Sequence, residues 1–201
     1  MKPLTRHLLS AAVAASAALG ATASSGQTQP PQVATPGTAC PATLQHTYPR
    51  LQDEKPQSLC QYAGRVVLVV NTASFCGFTN QYKALEELYS RYKDKGLVVL
   101  GFPSNDFAQE TGTNQQIADF CENTFGVKFP MFAKTSVKGA EASALFRQLA
   151  QLSGTAPRWN FHKYLLARDG KLVDHYSSFT APDSPSLVRA IEQQLAVAPT
   201  R

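Results

Sequence analysis

Residues 66–82 read VVLVVNTASFCGFTNQY, and the change of pattern inside this stretch decides the fold. Val66 to Asn71 is short, β-branched and apolar on both faces, as a strand must be when a sheet is covered on both sides. From Thr79 to Tyr92 the apolar residues Tyr82, Leu85, Leu88, Tyr89 and Tyr92 recur at helical spacing. Lys93 to Gly96 then supplies a basic last turn and a C-cap glycine. Leu97 to Phe102 is a second buried strand. Cys76 therefore lies between the carboxyl end of a strand and the amino end of a helix. Free N–H groups and the positive end of a helix dipole favour the thiolate there, the nucleophilic form of cysteine.

Outward from this unit the same alternation continues. Asn114 to Phe125 is expected as helix, Phe129 to Phe132 as a short strand and Ala140 to Gln151 as helix. Phe161 to Ala167 and Lys171 to Tyr176 flank the turn Arg168-Asp169-Gly170, a hairpin signal. Ser184 to Leu195, opened by Asp183-Ser184-Pro185, is the last helix. On the amino-terminal side, Tyr48 to Leu51 and Ser58 to Tyr62 are read as an extra hairpin around Asp53-Glu54. This order predicts an α/β domain with a thioredoxin-like fold: a mixed central β-sheet flanked by helices, with an extra N-terminal β-hairpin.

The 201 residues suit one domain with additional length, and 43% hydrophobic against 16% charged residues gives material for a core. The additional length is at the amino terminus. Lys2 and Arg6 precede the apolar run Leu8 to Leu19, which ends near Ala21-Thr22-Ala23. Basic, apolar and small regions in that order describe a secretory signal peptide over residues 1–23. The apolar run is shorter than the ~20 residues that span a bilayer, so stable membrane insertion is not expected. Residues 24–39, SSGQTQPPQVATPGTA, have no charge and no aromatic group and read as a flexible linker. The domain then occupies residues 40–197, in an exported, periplasmic location.

Cleavage after Ala23 removes Lys2 and Arg6, so the formal net charge falls from +5 to +3. Lys93, Lys95, Lys134 and Lys138 are scattered, and no basic patch is interleaved with stacking aromatics. Nucleic acid is not an expected partner. His46, His162 and His175 are isolated, no Cys–His pair has ligand spacing, and no metal is expected.

Val66–Gly77 with Phe78-Thr79-Asn80-Gln81-Tyr82 resembles the first signature of the glutathione peroxidase family. Leu100-Gly101-Phe102-Pro103-Ser104-Asn105 with Phe107 and Gln109-Glu110 is similar to its second signature, and Trp159-Asn160-Phe161 with Lys163 to its third. The resemblance runs from about Leu51 to Leu195, in order. It implies that Cys76 is the peroxidatic residue and that Gln109, Trp159 and Asn160 complete a catalytic tetrad. A carboxamide and an indole N–H are neutral donors; aimed at a thiolate sulfur, they stabilise it and the peroxide oxygens as O–O breaks. Asn71 is implied to support the loop rather than react. Cys121 matches the resolving cysteine of the thioredoxin-dependent branch, where a second thiol condenses with the sulfenic acid of Cys76. No organic or metal cofactor is implied. The substrate is a hydroperoxide, hydrogen peroxide or organic, and the reductant is thioredoxin-like or glutathione.

The chain departs from the family pattern at Ser104, Asp106, Thr111 and Lys138, and His175 to Ala181 fits it poorly. Leu152 to Arg158 is short and lacks the insertion used by tetrameric members, which implies a monomer. Cys40 and Cys60 lie outside the three signatures, and in an exported protein a spare pair reads as a structural disulfide. Of three connectivities, Cys40–Cys60 with Cys76–Cys121 is the one expected. A hairpin centred on Asp53-Glu54 sets Cys60 opposite Thr47, so residues 41–46 must curl back for the bond to form.

Three other activities suit the same architecture. One is a glutathione-dependent peroxidase without a resolving step. Another is a disulfide oxidoreductase, although its Cys-x-x-Cys chemistry meets Thr79 at the fourth position. The third is a non-catalytic binding module.

Overall fold

A computed structural model describes residues 39–198. The signal peptide read over residues 1–23, and all of the linker except Ala39, lie outside the described residues. The domain holds six strands and four helices: β1 (Thr47–Pro49), β2 (Pro56–Ser58), β3 (Val66–Thr72), α1 (Gln81–Tyr92), β4 (Leu97–Pro103), α2 (Asn114–Phe125), α3 (Ala144–Ser153), β5 (Lys163–Leu166), β6 (Leu172–Tyr176) and α4 (Pro185–Ala196). The central sheet runs β4-β3-β5-β6, and β1 and β2 pair separately. β3 and β4 are parallel, while β5 is antiparallel to both β3 and β6. This is the mixed sheet with an amino-terminal hairpin that the sequence predicts.

β3 shows why its sequence is apolar throughout. Val66, Leu68 and Val70 pack on one side with Leu85 and Leu88 of α1, Ile117 of α2 and Leu187 and Ile191 of α4. Val67 and Val69 pack on the other with Leu145, Phe146 and Leu149 of α3. All seven residues of β3 are buried, and removing each of the five apolar side chains, Val66 to Val70, from water is worth roughly 1.5–3 kcal/mol.

Several boundaries differ from expectation. α1 begins at Gln81 rather than Thr79, because Thr79 is committed to a turn with Cys76. α3 begins at Ala144 rather than Ala140; Ala142 N–H closes on Gly139 instead, and Ser143 precedes the helix in extended conformation. Phe129 to Phe132 is not a strand. It makes single bridges, Met131 with Gly101 and Phe132 with Arg50, and Pro130 has no N–H to extend a ladder. Gly101 leaves room for this approach, since a Cβ on it would lie 2.2 Å from Met131 Sδ and displace that side chain. Strand β5 starts at Lys163, not Phe161, because Phe161 has φ of 63° and breaks the extended run.

The hairpin register also differs. Thr47 pairs with Ser58, so Cys60 lies two residues beyond the ladder rather than opposite Thr47. Asp53 sets this turn, pairing with Arg50 and accepting from Lys55 N–H. Ser58 Oγ caps the 3-10 turn Leu59–Tyr62, and residues 42–44 form another 3-10 turn that brings the chain back. Cys40 and Cys60 are disulfide-bonded with Cα atoms 5.1 Å apart. Cys76 and Cys121 are free.

The closed loop spans 20 residues, for which a cross-link stabilises a fold by about 3 kcal/mol. Cys40→Ser with Cys60→Ser is expected to lower unfolding stability in urea by about that amount. An unchanged urea midpoint would mean that packing of Leu44 and Leu59 alone holds the segment.

Candidate active site

The turn between β3 and α1 fixes Cys76 through its own backbone. Cys76 N–H donates to Thr79 Oγ1 at 2.9 Å, Thr79 Oγ1 donates to Ala73 O at 3.1 Å, and Thr79 N–H donates to Cys76 O at 3.0 Å. The Phe78 N–H points at the sulfur, 3.4 Å from Cys76 Sγ. Thr79 thus fills the position of a second cysteine in a Cys-x-x-Cys motif and uses its hydroxyl to hold the turn. Cys76 is 9% exposed, so its side chain is largely enclosed rather than on a free surface.

A second segment, following β4, is clamped to this turn from both sides of Phe75. Phe75 N–H donates to Gln109 O at 3.1 Å. Ser74 gives its N–H (2.8 Å) and its hydroxyl (3.0 Å) to Glu110 Oε2. Asn105 shapes the segment by accepting from Glu110 N–H, and Ala108, at φ of 54°, reverses it. Glu110 is fully buried, and burial raises its pKa. The second signature named Glu110 without a role; its backbone-binding part shows only in three dimensions.

The third segment enters through Asn71. Its side chain donates to Trp159 O at 3.1 Å and accepts from His162 N–H at 3.1 Å, and its backbone oxygen accepts from Phe161 N–H at 2.6 Å. Asn160 is fully buried and its Nδ2 donates to Gln109 Oε1 at 3.0 Å. The Gln109 oxygen is therefore spent, and its N–H₂ end is the one left for another acceptor. Trp159 remains 41% exposed, its ring 5.3 Å from that of Phe107. Gln109 and Asn160 are thus in direct contact, Gln109 is bonded to the neighbour of Cys76, and Trp159, next to Asn160 in the chain, packs on Phe107.

The departures from the family pattern have structural uses. Asp106 accepts from Ser136 Oγ and from the N–H groups of Val137 and Lys138, and Lys138 Nζ sits 4.3 Å over the Phe107 ring that supports Trp159. Lys163 is more buried than the sequence suggested. Its ammonium donates to Gln81 Oε1, Phe161 O and Thr180 O, and burial pulls its pKa down to about 7.

Cys121 lies on the inner face of α2, 2% exposed, in the same apolar cluster as Cys76. Burial, with the nearby Glu110 adding to it and Tyr82 opposing, pushes its thiol up to about 11. A groove of about 390 Å³ separates Ser74 and Phe75 of the Cys76 turn from Gln116, Ile117 and Phe120 of α2. Among the described residues, no group of three or more His, Cys, Asp or Glu side chains could hold a metal ion.

The glutathione peroxidase family model matches residues 44–150. The glutathione peroxidase-like peroxiredoxin gpx1 of Schizosaccharomyces pombe is 44% identical over 148 residues, covering 70% of this chain and 94% of the relative. The glutathione peroxidase homolog BsaA of Bacillus subtilis is 42% identical over 159 residues, 75% of this chain and 99% of that one. The crystal structure of Trgpx in apo form is similar with a TM-score of 0.59 at 35% identity, covering 79% of this chain and 98% of that chain. With matches of this extent falling on a thioredoxin-like fold, the chain belongs to the glutathione peroxidase family.

Proposed function

We propose that this peroxidase works through Cys76, with Gln109, Asn160 and Trp159 around the reacting sulfur and Cys121 as the resolving thiol. The Cys76 thiolate attacks the terminal oxygen of a hydroperoxide. An S–O bond forms, the O–O bond breaks, and the departing alkoxide or hydroxide takes a proton to leave as alcohol or water. Cys76 is then a sulfenic acid. The Cys121 thiolate attacks its sulfur, hydroxide leaves as water, and a Cys76–Cys121 disulfide remains. A thioredoxin-like dithiol reduces it by exchange.

The observation that carries this reading is the Gln109 carboxamide. Its oxygen is taken by Asn160 and its backbone is tied beside Cys76, so a neutral N–H₂ donor is preorganised next to the turn. The disulfide oxidoreductase alternative loses support because Thr79 occupies the partner position.

Burial sets the terms of resolution. A thiol raised to about 11 and 2% exposed is largely protonated and shielded from solvent near neutrality, and we propose that α2 opens before Cys121 attacks. Asn114, Asn123 and Thr124 are indifferent helix formers, which eases that opening. The helix ends oppose it: Thr113 and Gln116 form a capping box, and Gly126, in left-handed conformation, closes the carboxyl end. A single such cap is worth about 1 kcal/mol. Resolution is therefore a gated step.

We further propose that the protein is exported after cleavage behind Ala23 and acts as a monomer. The sequence of residues 1–23 supports the first proposal, and the short Leu152–Arg158 segment supports the second. Mass spectrometry and light scattering of protein from the exported fraction should give a chain starting at Ser24 and a single-chain mass. Retention of residues 1–23, or a tetramer, contradicts the respective proposal.

Cys76→Ser should abolish peroxide reduction, since a serine hydroxyl stays protonated and is a poor nucleophile; more than a few per cent of residual activity rules out Cys76. Cys121→Ser should keep one turnover of peroxide but lose thioredoxin-driven cycling, with glutathione a poor substitute. Undiminished cycling would make Cys121 a packed thiol only.

The carboxamide pairing makes a separate prediction. Gln109→Ala should slow sulfenic acid formation by roughly 10- to 1,000-fold. Asn160→Asp should slow it comparably, because an aspartate oxygen facing Gln109 Oε1 turns the amide around and aims its carbonyl at the sulfur. Stopped-flow oxidation of folded protein measures both, and unchanged rates would reduce these residues to packing.

A further inference from the structure

Lys163 opens β5 and is fully buried, yet no carboxylate among the described residues pairs with it. A buried ammonium is costly unless it is paired or fully hydrogen-bonded. Three oxygens meet that demand: Gln81 Oε1 at 2.6 Å, Phe161 O at 2.7 Å and Thr180 O at 2.9 Å. An ammonium has three N–H donors, so every one is committed. Alternation along β5 sets the direction of the side chain. Leu165 packs with α1 and α4 and Tyr164 with α3, so Lys163 shares the face of Leu165 and meets Gln81 at the start of α1. His162 packs against Tyr164 and stacks on His175, with ring centroids 5.4 Å apart. Those two histidines are therefore paired in the fold, which corrects their reading as isolated residues.

The bonds of Lys163 converge on the segment that carries Asn160. Phe161 has φ of 63°, a left-handed conformation that costs a residue with a side chain about 1–3 kcal/mol. It is held at both ends: its N–H donates to Asn71 O at 2.6 Å, and its carbonyl accepts from Lys163 at 2.7 Å. The residue before it is held by the same network. Gln81 accepts from Lys163 and donates through Nε2 to Ser178 O at 2.6 Å, and Ser178 Oγ donates to Asn160 O at 2.6 Å. From this fixed backbone the Asn160 side chain reaches Gln109 Oε1 at 3.0 Å.

We infer that Lys163 is a positioning residue for the oxidation step: its ammonium holds Phe161 in the left-handed conformation that aims the Asn160 carboxamide at Gln109. Asn160 in turn fixes which end of the Gln109 amide is free to donate. Lys163 acts through these two residues and not on the sulfur. The inference rests on the reading of Gln109 as a donor beside Cys76, but the tie itself is measured without turnover.

Lys163→Met keeps much of the length of the side chain and removes all three donors. In mature protein, stopped-flow oxidation by peroxide should slow by roughly 10- to 100-fold, the scale of an ångström of misplacement. In a Gln109→Ala background the same substitution should slow it by less than about twofold, because residues that act through one another are not additive. Ser178→Ala, which loses a single hydroxyl, should repeat the pattern with a smaller loss and serves where Lys163→Met does not fold. Amide exchange at Phe161, followed by NMR, should quicken at least about tenfold in either variant while the amides of β4 keep their rates. Unchanged oxidation in both variants, equal fold-losses with and without Gln109, or Phe161 exchange that is unchanged or rises only together with β4 would overturn the inference. Failure of the Cys76→Ser experiment would move the reaction centre while leaving the exchange rates at Phe161 readable.

Discussion

One buried side chain gathers the candidate site. Asn71 is the sixth residue of β3 and is fully buried. Its carboxamide and backbone oxygen between them bond Trp159, Phe161 and His162. Five residues later the same strand has turned and delivered Cys76. The strand that carries the cysteine is therefore the strand that seizes the tryptophan segment, and Phe161 must take a left-handed backbone conformation to meet it. A buried amide with its bonds made adds directional constraint, and losing a partner would cost about 1–3 kcal/mol. The Gln109 segment is then fixed between the two, by Phe75 on one side and Asn160 on the other. Rigid elements hold each contact, so the donors near Cys76 need little reorganisation when peroxide arrives.

Much of this architecture is legible in the sequence because it rests on strong local signals. The unbroken apolar runs of β3 and β4 can only be strands covered on both faces, and Asp183-Ser184-Pro185 announces α4, where Ser184 caps Leu187 N–H. Where the reading failed, single side chains overrode the apolar pattern. Phe129–Phe132 has a strand's composition but is limited by Pro130 to single bridges, one to Gly101 of β4 and one to Arg50. The hairpin register was set by the Asp53 side chain, which shifts the centre by one position without any apolar pattern to report it.

The site was legible only as a joint match. Gln109 and Asn160 are ordinary polar residues in isolation, and their contact spans 51 positions. The paired histidines were missed because their relation depends on the β5–β6 register, and Glu110 because a buried carboxylate that binds two groups of Ser74 has no sequence signature. Both are consequences of pairing and burial that motif spacing does not encode.

In the proposed cycle the two free cysteines take different steps. Cys76 is held by a turn and is 9% exposed, while Cys121 is 2% exposed on the inner face of α2 and burial pushes its thiol up to about 11. In that proposal the peroxide is reduced before the second thiol reacts, and the Cys40–Cys60 bond stays outside the cycle. The most direct measurement is peptide mapping of the reduced-site protein after one equivalent of peroxide, with a carbon-acid trap for sulfenic acid added at increasing delays. The account predicts a trapped adduct on Cys76 at short delay, replaced by a Cys76–Cys121 disulfide at longer delay, with Cys40–Cys60 intact throughout. A first adduct on Cys121, or a bond between Cys76 and Cys40 or Cys60, would contradict it.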